Sequence, residues 1–392
     1  MAKQKTILVC PLDWGLGHAT RCIPIIHEFL NNNCKVIIGT SGKQKILLQQ
    51  EFPNLTFLKL KGYEVEYPIS GSMALKMLLQ LPKINSAIKE DHCWLAKIID
   101  EHQMDLVISD NRYGLWSNKV KCILITHQIF VKAPVGEGWI ENVLKNYFDK
   151  FSEIWIPDVE GENNLSGDLS HKKPLPNKFK FIGVLSRFSN KIVTSSVPPL
   201  SGTYREVGKE EYNIMVIISG PEPQRTIFEK LVIEQLQKTQ LRAVVLRGLP
   251  EKNVIANEVR QSAQIEKIAS LDSLPRNDEN IKIFNHFETE EFLNYLQKSK
   301  VVISRSGYST IMDLAILGKK AILVPTPGQT EQEYLAKYHF EKGRFYTQKQ
   351  NEFDLEKALE ELKEYKGINF DIFSNTNSKP SYELLLINPS IY

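Results

Sequence analysis

Cysteine is scarce in this chain, and its placement argues against a disulfide framework. The five cysteines among 392 residues are Cys10, Cys22, Cys34, Cys93 and Cys122. No two of them form a Cys-x-x-Cys pair and their number is odd, so we expect reduced thiols, as is usual in the cytoplasm. The class of small secreted proteins held together by disulfide bonds is excluded, and the predicted location is cytoplasmic.

Long apolar runs and clusters of like charge are also missing. No uninterrupted apolar segment reaches the roughly 18 residues of a membrane-spanning helix, and the opening residues MAKQK lead into a predicted strand rather than a signal peptide. The net charge of +3 comes without a lysine- or arginine-rich tract, which argues against a nucleic-acid partner. This mild positive charge suits anionic small molecules and leaves peripheral contact with an anionic membrane open.

Short apolar runs alternate with amphipathic segments along most of the chain. Apolar runs of this length between helices predict parallel sheets covered on both faces, and the chain is longer than one core usually serves. A polar, proline-containing stretch with no clear period separates two such series. The predicted fold is therefore α/β, with two Rossmann-like, doubly wound domains facing a cleft. The predicted divisions are residues 1–190, a linker at 191–213, residues 214–365 and a tail at 366–392.

The stretch CPLDWGLGHATRC places two glycines and a histidine between the first strand and the first helix. Gly15 and Gly17 fit part of a dinucleotide-binding loop, but Thr20 fills the last glycine position and no acidic residue ends the second strand. His18 lies near the first turn of the helix, where the helix dipole disfavours an imidazolium. A neutral imidazole is suited to act as a general base. A histidine that merely caps or packs is the alternative.

Two further polar residues end predicted buried strands. Asp110 closes the run DLVISD, and the carboxyl ends of parallel strands share one edge of the sheet. Asp110 could therefore accept a hydrogen bond from His18 and orient its ring, although a helix N-cap is an equally plain interpretation. His127 ends the next strand and either lines the same cleft or packs against it.

The most specific stretch of the sequence is Val301–His339. A strand leads into a glycine turn and a new helix, whose first turn offers backbone N–H groups and hydroxyls to a diphosphate. The residues that supply them are Ser306, Gly307, Ser309 and Thr310. Asp313 lies one turn further along, within reach of a ribose diol.

This stretch resembles the nucleotide-sugar-binding half of glycosyltransferases with the GT-B fold. It is most similar to the MurG-like group (family 28 type), which transfers N-acetylglucosamine from UDP to a lipid-linked acceptor. The matching positions are Ser306, Gly307, Thr310, Asp313, Gly318, Val324, Pro325, Gln332 and Glu333. Asp313 replaces the glutamate that usually holds the ribose. Glu333 replaces a second glutamine that often contacts the sugar, so the identity of the sugar stays open.

The resemblance implies roles for residues outside that stretch. Gly17 and His18 match the Gly-His end of the family's glycine-rich turn, in an N-terminal domain that binds the acceptor. Asp110 is similar to the strand-end aspartate that supports the catalytic histidine in plant-type UDP-sugar transferases. The segment FIGVLSRF resembles the family's interdomain Gly-x-x-x-Arg segment and nominates Arg187 for the diphosphate. In the nucleotide-binding half, the nominated residues are Gly220, near the phosphates, and His286 or Phe287 for the base.

The predicted function is an inverting, metal-independent glycosyltransferase of the cell envelope. It moves a sugar, with N-acetylglucosamine as one candidate, from a UDP-sugar to a hydroxyl of a lipid-linked or small glycoside acceptor, with His18 as base. The chain contains no Asp-x-Asp triplet, so the usual manganese site of the other large transferase fold has no obvious ligands. No cofactor is expected besides the UDP-sugar substrate. Segment 72–82 is either a lipid-facing acceptor patch or a core helix.

Two alternatives remain at this stage. A nucleotide-sugar 2-epimerase or hydrolase of the same fold would need several acidic residues around the sugar, and the first half of the sequence shows no rich acidic set. A non-catalytic nucleotide-sugar-binding protein would not need His18.

Overall fold

The computed structural model of the chain describes residues 4–65, 73–132, 136–189, 212–249 and 280–368. Most of the predicted linker and the tail from residue 369 onward lie outside these residues. A short helix predicted over Ser381–Leu386 also lies outside them.

The first sheet contains seven parallel strands in the order β3-β2-β1-β4-β5-β6-β7. Its strands are β1 (Thr6–Pro11), β2 (Lys35–Thr40), β3 (Thr56–Lys59), β4 (Leu106–Asp110), β5 (Lys121–Ile125), β6 (Glu153–Ile156) and β7 (Phe179–Phe181). The helices that accompany it are α1 (Leu16–Asn31), α2 (Gly42–Glu51), α3 (Met73–His102), α4 (Glu137–Phe148) and α5 (Asp168–His171).

The second sheet contains six parallel strands in the order β10-β9-β8-β11-β12-β13. Its strands are β8 (Tyr212–Ile217), β9 (Ala243–Leu246), β10 (Ile281–Phe284), β11 (Ser299–Ser304), β12 (Lys320–Leu323) and β13 (Tyr346–Thr347). Its helices are α6 (Gln224–Leu236), α7 (Thr289–Gln297), α8 (Tyr308–Ile316), α9 (Thr330–Glu341) and α10 (Leu355–Glu361), with 3-10 turns at Gln350–Glu352 and Leu362–Glu364. The two doubly wound, all-parallel sheets confirm the predicted fold class.

Two element boundaries differ from the sequence prediction. The apolar spacing of the sequence predicts a first helix over Arg21–Asn31, whereas α1 begins at Leu16 with Gly15 as its N-cap, so His18 belongs to its first turn. Strand β8 begins at Tyr212, inside the predicted linker, because the main chain there already bonds to the neighbouring segments. Residues 73–82 of the apolar segment form the start of α3, and Leu79 is 73% exposed, which excludes that side chain from the core.

The core explains why the strands read as continuous apolar runs. Along β1, Ile7 and Val9 join one buried cluster, while Leu8 and Cys10 join another on the opposite face of the sheet. Both faces of the strand are therefore covered, as expected for a parallel sheet between helices. All five cysteines are free thiols, and burial raises the pKa of Cys10 to about 12.

The two domains share an apolar cluster and several polar contacts. Phe188 stacks against Phe292 with ring centroids 5.7 Å apart, and both belong to a cluster that runs through both sheets. The hydroxyl of Tyr308 donates to the carbonyl of Pro157 at 2.9 Å. No helix within the described residues combines the length and the apolar character needed to cross a bilayer.

One polar contact between the domains involves a fully buried histidine. His339 donates from Nε2 to the carbonyl of Leu165 at 2.9 Å. Burial, reinforced by the charge of Arg344, lowers the pKa of His339 to about 3. The folded chain therefore keeps this ring neutral at pH values where the unfolded chain, with an ordinary histidine pKa of about 6.5, binds a proton.

We expect His339→Gln to flatten the pH dependence of stability, because glutamine keeps an N–H donor and does not titrate. As pH falls from 7 to 5, the unfolded wild-type chain gains a proton that the folded chain does not bind. This residue should therefore account for up to about 2 kcal/mol of the stability lost over that interval. Urea unfolding of wild type and variant at both pH values measures the difference. His102→Gln, at the end of α3, is the control, and equal pH dependence in all three proteins would contradict the prediction.

Candidate active site

The loop between β1 and α1 is held by residues from neighbouring segments. Gln44 donates from its side-chain amide to the carbonyls of Asp13 at 2.8 Å and Gly15 at 3.3 Å. The Asp13 carboxylate accepts a hydrogen bond from the backbone N–H of Tyr63 at 3.0 Å. These contacts fix the loop that leads into α1, and with it the starting position of the helix turn that carries His18.

His18 and Asp110 are brought together by the pairing of two adjacent strands. In the register of β1 and β4, Pro11 lies opposite Asp110, so the end of β4 is beside the loop that precedes His18. The Nδ1 atom of His18 lies 3.0 Å from Oδ2 of Asp110, whose side chain is fully buried. The predicted contact between these two residues is present. No helix follows Asp110 in residues 111–120, so the N-cap interpretation does not apply.

The charge of Asp110 is balanced by an arginine that the sequence reasoning missed. Arg21 donates from Nε to both oxygens of Asp110, at 2.9 and 3.0 Å, and Nη2 makes a further contact with the same carboxylate. Burial opposes ionisation of Asp110, but the charge of Arg21 and the hydrogen bonds from His18 and Arg21 outweigh it and lower the pKa of the carboxyl. Arg21 follows His18 by three residues, a spacing that places both on one face of a helix. That spacing alone does not distinguish a buried arginine from a solvated one.

His127 connects this cluster with the C-terminal domain. Its Nε2 lies 2.8 Å from a carboxylate oxygen of Glu331, at the start of α9, and Gln128 donates to the other oxygen. The His127 ring stacks on Tyr308 with centroids 3.9 Å apart. Burial lowers the pKa of His127, although Glu331 opposes that shift. His127 is thus packed between the domains, as one of the two interpretations expected, and it also holds them together.

Gly17 lies where the first turns of α1 and α8 meet. The hydroxyl of Ser309 donates to the carbonyl of Gly17 at 2.9 Å. A Cβ atom added to Gly17 would come within 2.8 Å of the Ser309 Oγ and 3.1 Å of its Cβ, whereas one added to Gly15 would meet no atom within 4 Å. The close approach of Ser309 from the C-terminal domain therefore requires glycine at position 17.

Several residues nominated for the donor nucleotide lie together at another part of the domain interface. Ser186 donates to one oxygen of Asp313 at 2.6 Å, and Arg187 Nε lies 3.8 Å from the other. Burial raises the pKa of Asp313 to about 6, although Arg187 and Ser186 oppose that shift. Burial, together with the nearby charge of Arg187, lowers the pKa of His286 to about 4. Among the described residues, no hydrogen-bond partner reaches the buried Nε of Arg187.

A narrow crevice joins this group to helix α2. Arg187, His286 and Phe287 line it from one side, and the end of α2 lines it from the other through Leu47, Gln50 and Glu51. The Phe287 ring is buried and stacks on Tyr295 at 4.6 Å between centroids. The structure thus brings together Arg187, Asp313, His286 and Phe287, which the sequence nominated separately.

Other nominated residues make contacts within their own domain. Ser306 is buried and donates to the carbonyl of Gln332 at 2.8 Å. The side chain of Gln332 accepts from the backbone N–H of Thr326, and that of Glu333 accepts from Gly328, each at 2.8 Å. These side chains brace the turn before α9, and their contacts with a sugar or phosphate stay a prediction.

The remaining nominated positions belong to turns and helix starts at the same sheet edge. Gly220 has a φ of +106°, a left-handed conformation that favours glycine. Gly307 is the N-cap of α8, and Thr310 lies partly exposed in its first turn. The described residues contain no cluster of three or more histidine, cysteine, aspartate or glutamate side chains arranged to hold a metal ion.

Comparison with known proteins extends these findings to both halves of the chain. Residues 217–380 match the family described as the glycosyltransferase family 28 C-terminal domain. The UDP-N-acetylglucosamine–N-acetylmuramyl-(pentapeptide) pyrophosphoryl-undecaprenol N-acetylglucosamine transferase of Histophilus somni is 33% identical, over 93% of this chain and 90% of its own. The chain belongs to the MurG-like glycosyltransferases. An uncharacterized glycosyltransferase of Methanosarcina acetivorans is 24% identical over 84% of this chain and 82% of its own.

Solved structures share the fold of this MurG-like glycosyltransferase at low sequence identity. Acinetobacter baumannii MurG superimposes with a TM-score of 0.51 at 11% identity, covering 98% of both chains. The UDP-GlcNAc 2-epimerase from Neisseria meningitidis gives a TM-score of 0.59 at 12% identity, covering 98% of this chain and 100% of its own. At such identity the likeness establishes the shared two-domain architecture and carries no information on the reaction.

We expect Gly17→Ala to destabilise the protein, because the added methyl group displaces Ser309 and loosens the approach of α8 to α1. Overpacking of this kind costs about 1–3 kcal/mol. The free energy of unfolding in urea provides the measurement. Gly15→Ala is the matched control: its φ of 167° is extended backbone and its added Cβ has open space. A Gly17→Ala protein as stable as the Gly15→Ala protein would show that the close approach does not constrain this position.

Proposed function

We propose that this glycosyltransferase moves a hexosyl group from a UDP-sugar to an acceptor hydroxyl, with inversion at the anomeric carbon and His18 as general base. The observation that carries the proposal is the 3.0 Å contact between His18 and the buried Asp110. A carboxylate behind one ring nitrogen fixes the imidazole and leaves the other nitrogen to take a proton. His18 keeps 18% of its side chain exposed at the domain interface.

The proposed step is a single displacement. The acceptor oxygen attacks the anomeric carbon while its proton passes to Nε2 of His18. The bond between the anomeric carbon and the phosphate oxygen breaks, and UDP leaves with the bonding electron pair. The product carries the sugar with inverted configuration, and the imidazolium keeps its Nδ1 hydrogen bond to Asp110 until it releases its proton.

The proposed donor site is the group around Arg187. The first turn of α8 and the guanidinium of Arg187 would stabilise the negative charge of the diphosphate, since helix N-termini and arginine both favour phosphate. Asp313 would accept hydrogen bonds from the ribose, and the segment at His286 and Phe287 would contact the uracil. Supporting this assignment, Arg187 lies 3.8 Å from Asp313 and lines one crevice with His286 and Phe287.

The finer details of the substrate are part of the same proposal. N-acetylglucosamine is the first sugar to test, because the Histophilus somni relative is named for transferring it. That relative's name also supports a lipid-linked acceptor, with a small glycoside as the alternative, and hence a cytoplasmic protein in peripheral contact with a membrane. We propose that neither a metal nor a cofactor takes part, since the chain lacks an Asp-x-Asp triplet and the charge of UDP can be stabilised by protein dipoles.

We expect His18→Ala to bind the donor with wild-type affinity and to lose transfer by about 100-fold to 10,000-fold, the usual contribution of a general base. Isothermal titration with a panel of nucleotide sugars measures donor binding. Turnover of the donor that binds, assayed with a membrane lipid extract as acceptor source, measures transfer. His102→Ala, at the end of α3, is the control for a histidine outside the site.

Three outcomes would count against the proposal. Failure of the wild-type protein to bind any UDP-sugar would remove the central claim. Full turnover by His18→Ala would exclude His18 as the base. A product that retains the anomeric configuration of the donor, seen by NMR, would exclude the single displacement.

A further inference from the structure

We propose that Arg21 is a positioning residue that cancels the charge of Asp110 and thereby keeps His18 a neutral base. The inference rests on the proposed function only in that it takes His18 as the base. Its physical content concerns the charge and the proton of the His18 ring, which can be measured without a substrate.

The contact between Arg21 and Asp110 is a buried, side-on ion pair. Arg21 is 2% exposed and Asp110 is fully buried, and the guanidinium uses Nε and Nη2 on the carboxylate. A buried carboxylate needs such a partner, because an unpaired charge away from water is costly. The pair as a whole is neutral, so His18 faces a balanced ion pair instead of a free negative charge.

Arg21 also approaches the same ring nitrogen that Asp110 contacts. Nη2 of Arg21 lies 2.9 Å from Nδ1 of His18, and Oδ2 of Asp110 lies 3.0 Å from it. A neutral imidazole has one proton, so Nδ1 can donate to Asp110 or accept from Arg21, but it cannot do both. If Nδ1 accepts, Nε2 carries the proton and cannot receive another. If Nδ1 donates, Nε2 presents a lone pair to the acceptor.

The tautomer in which Nδ1 of His18 donates to Asp110 leaves each surrounding polar group with a hydrogen-bond partner. A carboxylate is the stronger acceptor, so the proton on Nδ1 is directed to Asp110. The third nitrogen of Arg21, Nη1, lies 3.5 Å from Nδ1 of His127, whose Nε2 lies 2.8 Å from Glu331. A neutral His127 that accepts from Arg21 and donates to Glu331 fits both distances. Arg21 thus has acceptors for its protons other than His18.

The charged groups around His18 determine what loss of Arg21 would do. Asp110 faces it from β4, Arg21 from its own helix, His127 from the segment after β5 and Glu331 from α9. Without Arg21, the two carboxylates would face His18 uncompensated and would favour its imidazolium form. An imidazolium cannot accept a proton, so the base would become available only at higher pH.

The test is Arg21→Met, examined with histidine labelled with 15N and with a pH–rate profile. In wild type at pH 7 we expect the His18 ring to be neutral with its proton on Nδ1, identified by the signal missing from His18→Ala. In Arg21→Met we expect an imidazolium at the same pH. The acidic limb of the pH profile of kcat/KM should shift to higher pH by at least about one unit, the usual effect of a nearby charge.

Two further variants separate charge from structure. Arg21→Met with Asp110→Asn removes both members of the ion pair, so the ring should be neutral again and the limb should return toward its wild-type position. Arg112→Met removes another buried arginine of the same domain, bonded to Asp91 at 2.6 Å. It should reduce stability without charging the His18 ring. If Arg21→Met does not fold, Arg21→Lys should fold and keep a neutral ring with reduced kcat.

An unchanged ring signal and an unchanged acidic limb in Arg21→Met would overturn the inference, as would a charged ring in Arg21→Lys. These results are distinct from failure of the proposed function. If wild type transfers no sugar but its ring behaves as described, the function is wrong and the role of Arg21 stands. If wild type transfers sugar but the charge of the His18 ring does not change in Arg21→Met, the proposed function stands and the role of Arg21 is wrong.

Discussion

The parallel pairing of β1 and β4 is the constraint on which the candidate site depends. It sets Pro11 opposite Asp110, so a carboxylate encoded 92 residues after His18 comes within 3.0 Å of its ring. Because Asp110 is then fully buried, it needs a cation, and Arg21 supplies one from the first turns of α1. The strand register thus determines the position of the carboxylate, and the carboxylate in turn accounts for the buried arginine beside the histidine.

Part of the interface between the domains lies directly beside this cluster. Gly17 accepts a hydrogen bond from Ser309, and His127 contacts Glu331 while stacking on Tyr308. Residues from α8 and α9 therefore contact residues next to His18 and Arg21. Any change in the separation of the two domains would therefore alter the contacts made next to His18 and Arg21.

The proposed donor site, around Arg187, differs from the His18 cluster in how its charge is balanced. Arg187 lies over the ring of Phe292 at 4.1 Å and near Asp313, and burial lowers its pKa. The guanidinium is largely removed from water, and its Nε lies 3.8 Å from the carboxylate of Asp313. A diphosphate entering here would find a cation that has already lost much of its hydration, and this reduces the desolvation cost of binding.

The sequence by itself determined the two doubly wound domains, because strand and helix periodicity is a local property. It determined the family through the motif in Val301–His339. It also placed His18 and Asp110 at one sheet edge, because the carboxyl ends of parallel strands share an edge. It could not identify Arg21, since an arginine on an amphipathic helix is usually solvated, nor the role of Gly17, which depends on a serine 292 residues away. Only the tertiary structure decided that Gln332 and Glu333 brace a turn and that His127 joins the domains. Those contacts depend on how loops from separate segments pack, and no local pattern encodes that packing.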